Sequence, residues 1–342
     1  MAPADPTAAA EDLVEGFLDL ACLTYRDDGP DRWRAAQELL DQHPDLARRD
    51  VHVAAATGDV AALTTLLAAA PARAAAARPD GWTPLMCLAY ARVRQDDALG
   101  AARLLLAAGA DPDAGVLLDD RVPPFTVLTG CFGEGEQGPG RQPRHPQGDA
   151  LAALLLEHGA DPDDGQTLYD RMFSRDDSHL AVLLPAGLGR GDGGVWRRRL
   201  GERQDTPGRM VALQVDWARD HGLTDRVALL AAYGFAEGAP ADDPSPWRLR
   251  GEVPPVAAVG TPAGVRAFAA AGGAGRGLDA KVHGRTLLHH AAWLGDVELV
   301  EALLECGADP EVLDDDHDAT PLGWAEWGYA PATAALLRAA TA

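Results

Sequence analysis

The residues with the most chemical capacity in this chain gather in one stretch, GCFGEGEQGPGRQPRHPQG at 130–148. Glu134 and Glu136 stand close together there, and His145 follows. Two carboxylates held at different pKa values, with an imidazole to carry protons, are the equipment of general acid/base catalysis. Gln137, Arg141, Gln142 and Arg144 add hydrogen-bond donors, and Gly133, Gly135, Gly138 and Gly140 permit close backbone approach. Arginine beside carboxylates and aromatic rings equally suits binding of a small polar or anionic ligand, or of a peptide carboxylate.

Three other groupings hold reactive residue types but lack the spacing. Ser174, Asp176, Asp177 and His179 are the members of a nucleophilic triad, yet they lie within a turn or two of one another and cannot converge as separate elements do. The run 314–318 reads Asp-Asp-Asp-His-Asp, but it has no glycine at a sharp turn, and the twelfth position from Asp314 is Ala325 where a calcium loop needs Glu. It reads as a solvated turn. Arg197, Arg198 and Arg199 beside Trp196 form a small basic island on a helix face. No metal and no organic cofactor are expected.

The elements that must position the 130–148 stretch come from a repeat. Residues 284–322 contain two short apolar-patterned runs that meet at Gly295-Asp296, and Thr320 restarts the pattern 34 residues after Thr286. A fixed period of this size signals stacked supersecondary units. Thr286 is placed to cap the first run, accepting from a backbone N–H of the first turn. At Thr83-Pro84 and Thr320-Pro321 a proline occupies the first helical position, where its missing N–H costs nothing. Leu299, Val300, Leu303 and Leu304 recur at helical spacing and form one apolar stripe. Gly307 suits a left-handed C-cap. One helix pair cannot cover that stripe, so neighbouring units must stack on it.

These motifs resemble the ankyrin repeat. Its T-P-L-H signature is present as Thr286-Leu287-Leu288-His289, Thr83-Pro84-Leu85-Met86 and Thr320-Pro321-Leu322-Gly323, and an LLxxGADP-like ending recurs at 105–112, 155–162 and 303–310. The resemblance implies an all-α solenoid of about eight helix-pair units, each a turn followed by two antiparallel helices. It also implies that His289 bonds locally as a structural residue. The text of 130–148 further resembles a bacterial, actinobacterial-type group of ankyrin-repeat proteins with an insertion in the third unit, which implies no activity.

On that framework 1–47 reads as an N-terminal pair of capping helices and 48–235 as repeats. The stretch 236–246 reads as a loop or weak joint, and 247–342 as further repeats with a C-terminal cap. The third unit is abnormal. Its ending lies 50 residues after the previous one, whereas the family's period is about 33, so some 17 residues are added around 130–148. Phe132 and the mixed charges favour an ordered loop over a flexible excursion. Such a loop is expected to fold toward the inner helices of the second to fourth units and to pair one of its carboxylates with an arginine. Trp82, Tyr90, Arg92, Arg121, Phe125, Tyr169 and Arg171 from the flanking units complete the candidate binding surface.

The net charge of -22 repels phosphate backbones, so nucleic acid is not an expected partner. The four cysteines, Cys22, Cys87, Cys131 and Cys306, are far apart, which points to a reducing compartment and a cytoplasmic protein. The N-terminal text has no basic start and no long apolar core, so a signal peptide is not expected, and no run is long enough to span a membrane. Lys281 stands against 29 arginines, with no Ile or Asn, a bias that fits a bacterial genome rich in G and C. The leading expectation is a monomeric, non-enzymatic recognition module that binds a protein or peptide through its concave face and the loop. The alternative is an enzyme or small-molecule binder with an acid/base pocket of Glu134, Glu136 and His145 under that loop.

Overall fold

The structure, a computed structural model, describes residues 6–247, 249 and 252–342. Residues 1–5 of the expected N-terminal cap, and 248, 250 and 251 of the later repeats, lie outside the described residues. Two compact units are present, and each has its own core. The first comprises Met1–Gly135, Gln142–Arg171 and Ser178–Pro207; the second comprises Glu136–Arg141, Met172–Asp177 and Gly208–Ala342.

In the first unit, helices Val51–Ala56, Pro84–Tyr90 and Val127–Phe132 pack one on the next. Each is followed by a partner, Val60–Ala69, Ala98–Ala107 or Gly148–Glu157, and these partners also pack in series. Local chemistry sets the starts. The Asp50 carboxylate accepts from the backbone N–H groups of His52 and Val53, Asp59 accepts from Ala62, Thr83 from Met86 and Asp97 from Gly100. Thr126 forms a capping box with Thr129. Gly109 and Gly159, with φ of 94° and 95°, end two partner helices in the left-handed region at the LLxxGADP-like endings. Leu63, Leu85, Leu88, Leu105, Leu151 and Leu155 are fully buried between the layers. Helices Pro6–Ala21 and Pro30–Gln42 pack on each other at the N-terminal side, where they bury Phe17 and Ala36. The all-α character is interrupted among the described residues by a two-residue antiparallel ladder, Gly115–Val116 with Phe125–Thr126, and by isolated bridges Cys22–Ala91 and Val282–Arg285.

In the second unit, Leu287–Leu294 packs on Pro321–Trp327, and Val297–Glu305 packs on Pro262–Phe268 and on Pro331–Ala340. Val265, Leu278, Leu288, Leu299, Leu303 and Leu337 form the core of these elements. Gly295 lies at φ 73° and turns the first of those helices into Asp296, whose carboxylate caps the next by accepting from Leu299 N–H. His289 closes a capping box with Thr286, and its Nε2 donates to the Ala319 carbonyl at 3.1 Å, so this histidine fastens one repeat to the turn of the next. The stretch 236–246 carries no helix or strand.

The acidic run at 314–318 has a structural occupation. Asp314 Oδ1 accepts from the N–H groups of Asp316 and His317 at 2.8 and 2.7 Å, and Oδ2 accepts from the Trp324 indole at 2.7 Å and from Ala319 N–H at 3.2 Å. Burial acts to raise this carboxyl, but the donors from Trp324, His317, Asp316 and Ala319 outweigh it and hold the pKa down to about 2. A depressed carboxyl stabilises the fold above its unfolded pKa and loses that contribution as pH falls through the folded one. Between about pH 4 and pH 2 the protein is therefore expected to lose about 2 kcal/mol through Asp314. Urea melts of wild type and Asp314→Asn across that window check this. A parallel decline in both proteins would show that the residue contributes no pH dependence.

Candidate functional site

The inserted loop leaves helix Val127–Phe132 at Gly133 and returns at helix Gly148–Glu157. Gly133 adopts φ 55° and ψ -150°, and a Cβ there would strike the carbonyl of Pro143, so the loop's two strands approach at a point only glycine fits. Arg92 fastens this stem. Its Nε donates to Pro143 O at 2.7 Å and its Nη2 to Gly130 O at 2.8 Å, while Nη1 donates to Ala89 O and Ala91 O at 2.9 and 3.0 Å. One guanidinium thus closes the loop and caps the C-terminal carbonyls of helix Pro84–Tyr90.

His145 is the second fastening. Its Nδ1 accepts from Gln147 N–H at 3.1 Å, so Nε2 carries the proton and donates to Gln95 Oε1 at 2.6 Å. Gln95 in turn donates to Ala56 O and Leu88 O. Burial, and then the Arg92 charge, push the His145 pKa down to about 3, so the ring stays neutral and both nitrogens are committed. Glu134 pairs with the fully buried Arg171, which places one loop carboxylate against an arginine of helix Gly165–Met172. Arg144 pairs with Asp149 at the start of the returning helix.

The other sequence-derived residues divide in two. Tyr90 is buried, and its hydroxyl donates to Thr126 O at 2.7 Å; Trp82 meets its ring edge to face at 4.8 Å, and Phe125 is buried against Tyr25. Tyr90 and Phe125 are thus interior packing groups, while Trp82 is half-buried. Arg121 is exposed and Tyr169 half-buried. Glu136, Gln137 and Arg141 belong to the second unit, and Glu134 and His145 to the first. Of the three candidate acid/base residues, Glu134 is ion-paired with Arg171 and both His145 nitrogens are bonded, while Glu136 belongs to the second unit. Likewise Ser174, Asp176 and Asp177 fall in the second unit and His179 in the first. Asp177 instead pairs with the buried Arg226 at 2.6 Å.

The tip of the insertion, Glu136–Arg141, falls in the second unit. In the second unit, Gly138, at φ 78°, lies against the Trp293 indole, where a Cβ would come within 2.6 Å of Nε1, and Gly140 lies against the Gly328 carbonyl. Arg141 stands over the rings of Trp327 and Tyr329, 5.1 and 4.7 Å from their centroids, and its Nε donates to Trp327 O at 2.5 Å. Those two aromatic residues remain 45% and 42% exposed, so the cluster presents an apolar and cationic face to solvent. Gln95 and Tyr329 were not singled out by sequence reasoning, and Trp327 reads from the sequence as packing of the C-terminal cap. The only signal available was a pair of large aromatics at a repeat turn, which packing inside a terminal cap explains equally well.

Comparison with known proteins fits this architecture. The ankyrin repeat family model matches residues 80–115 and 283–315, one segment in each unit. The matched segments contain Pro84–Tyr90 with Ala98–Ala107, and Leu287–Leu294 with Val297–Glu305, two of the helix pairs described above. The fold thus defines a helical repeat scaffold, and the chain contains ankyrin repeats at these two places. Ankyrin repeats are general protein-interaction modules. No curated protein matches the chain. Among the described residues, no helix is long and apolar enough to cross a membrane.

Proposed function

We propose that this chain is a non-enzymatic recognition module, an ankyrin solenoid of about eight units that binds a protein or peptide through its concave face and the loop 130–148. The proposal includes the capping helices at 1–47, the joint at 236–246 and the C-terminal cap within 247–342. The observation that carries it is the Arg141, Trp327 and Tyr329 cluster, since half-exposed tryptophan, tyrosine and arginine are the side chains that dominate binding energy at interfaces. The acid/base alternative has less support, because His145 is committed at both nitrogens and Glu134 is held by Arg171. The proposal also takes the protein to be monomeric, bacterial and cytoplasmic.

The test is affinity capture from the native cell. A specific partner is expected with wild type and lost when 133–147 is replaced by Gly-Asp, while the shortened protein keeps its helical circular dichroism. Arg141→Ala and Trp327→Ala should each weaken that binding about ten-fold or more. Full binding by the shortened protein would remove the loop from the interface.

A further inference from the structure

The second unit contains a pocket that the recognition reading does not use. It is a cleft partly open to solvent with an enclosed volume of about 40 Å³, so a ligand seated there keeps part of its body in solvent. Phe173 and Trp217 supply aromatic wall, and Leu223, Val256, Leu287 and Leu294 supply aliphatic wall. Phe173 and Trp217 meet edge to face at 5.3 Å, and Trp217 stacks on His221 at 3.8 Å, so the ring surfaces are held in place.

The polar groups have a definite charge count. Arg285 lines the pocket, but it is paired with Asp316 at 2.9 Å and sits over the Trp324 ring, so its charge is compensated. Arg175 also lines the pocket, and it makes no hydrogen bond or ion pair with the described residues. Its guanidinium lies against Gly260, where any Cβ would collide with it, and Asp296 acts on it only through space. Half-buried, in a cavity with largely apolar walls, it presents one uncompensated positive charge. His221 contributes no charge. Its Nδ1–H donates to Trp217 O at 2.9 Å, and burial pushes its pKa down to about 3, so the ring is neutral and Nε2 is a bare acceptor. That Nε2 is buried and has no partner among the described residues. An orphan acceptor of this kind costs stability until a donor reaches it.

We propose that this pocket binds a small, flat organic monocarboxylate that also carries a ring N–H or O–H: the carboxylate takes the fork of Arg175, the flat body lies against Trp217 and Phe173, and the ring donor satisfies His221 Nε2. A single uncompensated arginine favours a monoanion over a doubly charged phosphate. The apolar walls exclude a ligand that is polar throughout.

The probe is indole-3-acetate, titrated into the full-length protein by calorimetry and by saturation-transfer NMR. Saturable binding is expected. Indole-3-acetamide, of the same shape but neutral, should bind at least about ten-fold more weakly, and the 1-methylated acid should also lose affinity. Arg175→Gln should weaken indole-3-acetate about ten-fold or more while melting within about 2 °C of wild type. Four results would overturn the proposal: no binding at millimolar probe, equal binding of acid and amide, displacement by an equal concentration of inorganic phosphate, or full affinity in Arg175→Gln. Tighter binding of a tripeptide ending in tryptophan than of indole-3-acetate would assign the pocket to a chain terminus and also overturn it. The acid and amide comparison uses wild-type protein, so it remains decisive if the variant misfolds. Because the probe and pocket are separate from Arg141 and Trp327, a negative result here leaves the partner-binding proposal standing.

Discussion

Replacing Arg92 with alanine is expected to lower stability by about 3 kcal/mol and to release the inserted loop. The guanidinium donates to four carbonyl oxygens, those of Ala89, Ala91, Gly130 and Pro143. Hydrogen bonds from a charged donor contribute about 1.5–3 kcal/mol each, and acceptors left without a donor add a desolvation penalty. Water will reach part of the half-buried site and recover some of this, so the four effects do not sum. Two of the four bonds hold residues on either side of the insertion, and His145 is the fastening that remains. The loop should therefore become the first segment cut in limited proteolysis, ahead of any change in the helical circular dichroism. Arg92→Lys should recover little, because an ammonium cannot reproduce a planar fork aimed at four separated oxygens. Proteolysis at wild-type rates in Arg92→Ala would mean that the loop is held elsewhere.

The second large effect belongs to the core of the other unit. Leu303→Ala should cost about 2–5 kcal/mol, since it removes a branched side chain that has no solvent exposure and leaves a cavity among close-packed neighbours. Leu303 lies in helix Val297–Glu305, within the cluster of Val265, Leu278, Leu288, Leu299 and Leu337, and those residues come from several helices that contact one another. Stability in a repeat array is a sum of intrinsic and nearest-neighbour terms, so the loss should be felt by Pro262–Phe268 and Pro331–Ala340, which pack on that helix. Hydrogen exchange should show faster opening of both flanking helices, and denaturant melts should show the lost stability. A loss under about 1 kcal/mol would mean that the site collapses to fill the space.

The periodic helices were legible because their signals are local. Thr83 and Thr286 cap, Gly295 and Gly307 take left-handed turns, and leucines at helical spacing face one side, each within a few residues of the group it acts on. The stem of the insertion was half legible. Its position followed from a broken period, and the expectation of a carboxylate paired with an arginine named the two residue types that Glu134 and Arg171 supply. Which arginine would be surface and which would be interior was not legible. Arg92, Arg141 and Arg171 are identical as text, yet one gathers carbonyls, one stands over two exposed rings and one is wholly buried.

By itself the sequence determined the repeat, its period, its caps and the place where the period fails, because each depends on neighbours along the chain and on the 3.6-residue turn of a helix. Only the tertiary structure decided how the reactive residues are used. Arg141 meets Trp327 and Tyr329 across 186 and 188 positions of sequence, and Arg175 shares a pocket with His221 and Arg285 that no spacing rule connects. The reason is physical. The charge, exposure and hydrogen-bond supply of a side chain are set by whatever the fold brings within a few ångströms, and in this chain those neighbours come from distant repeats.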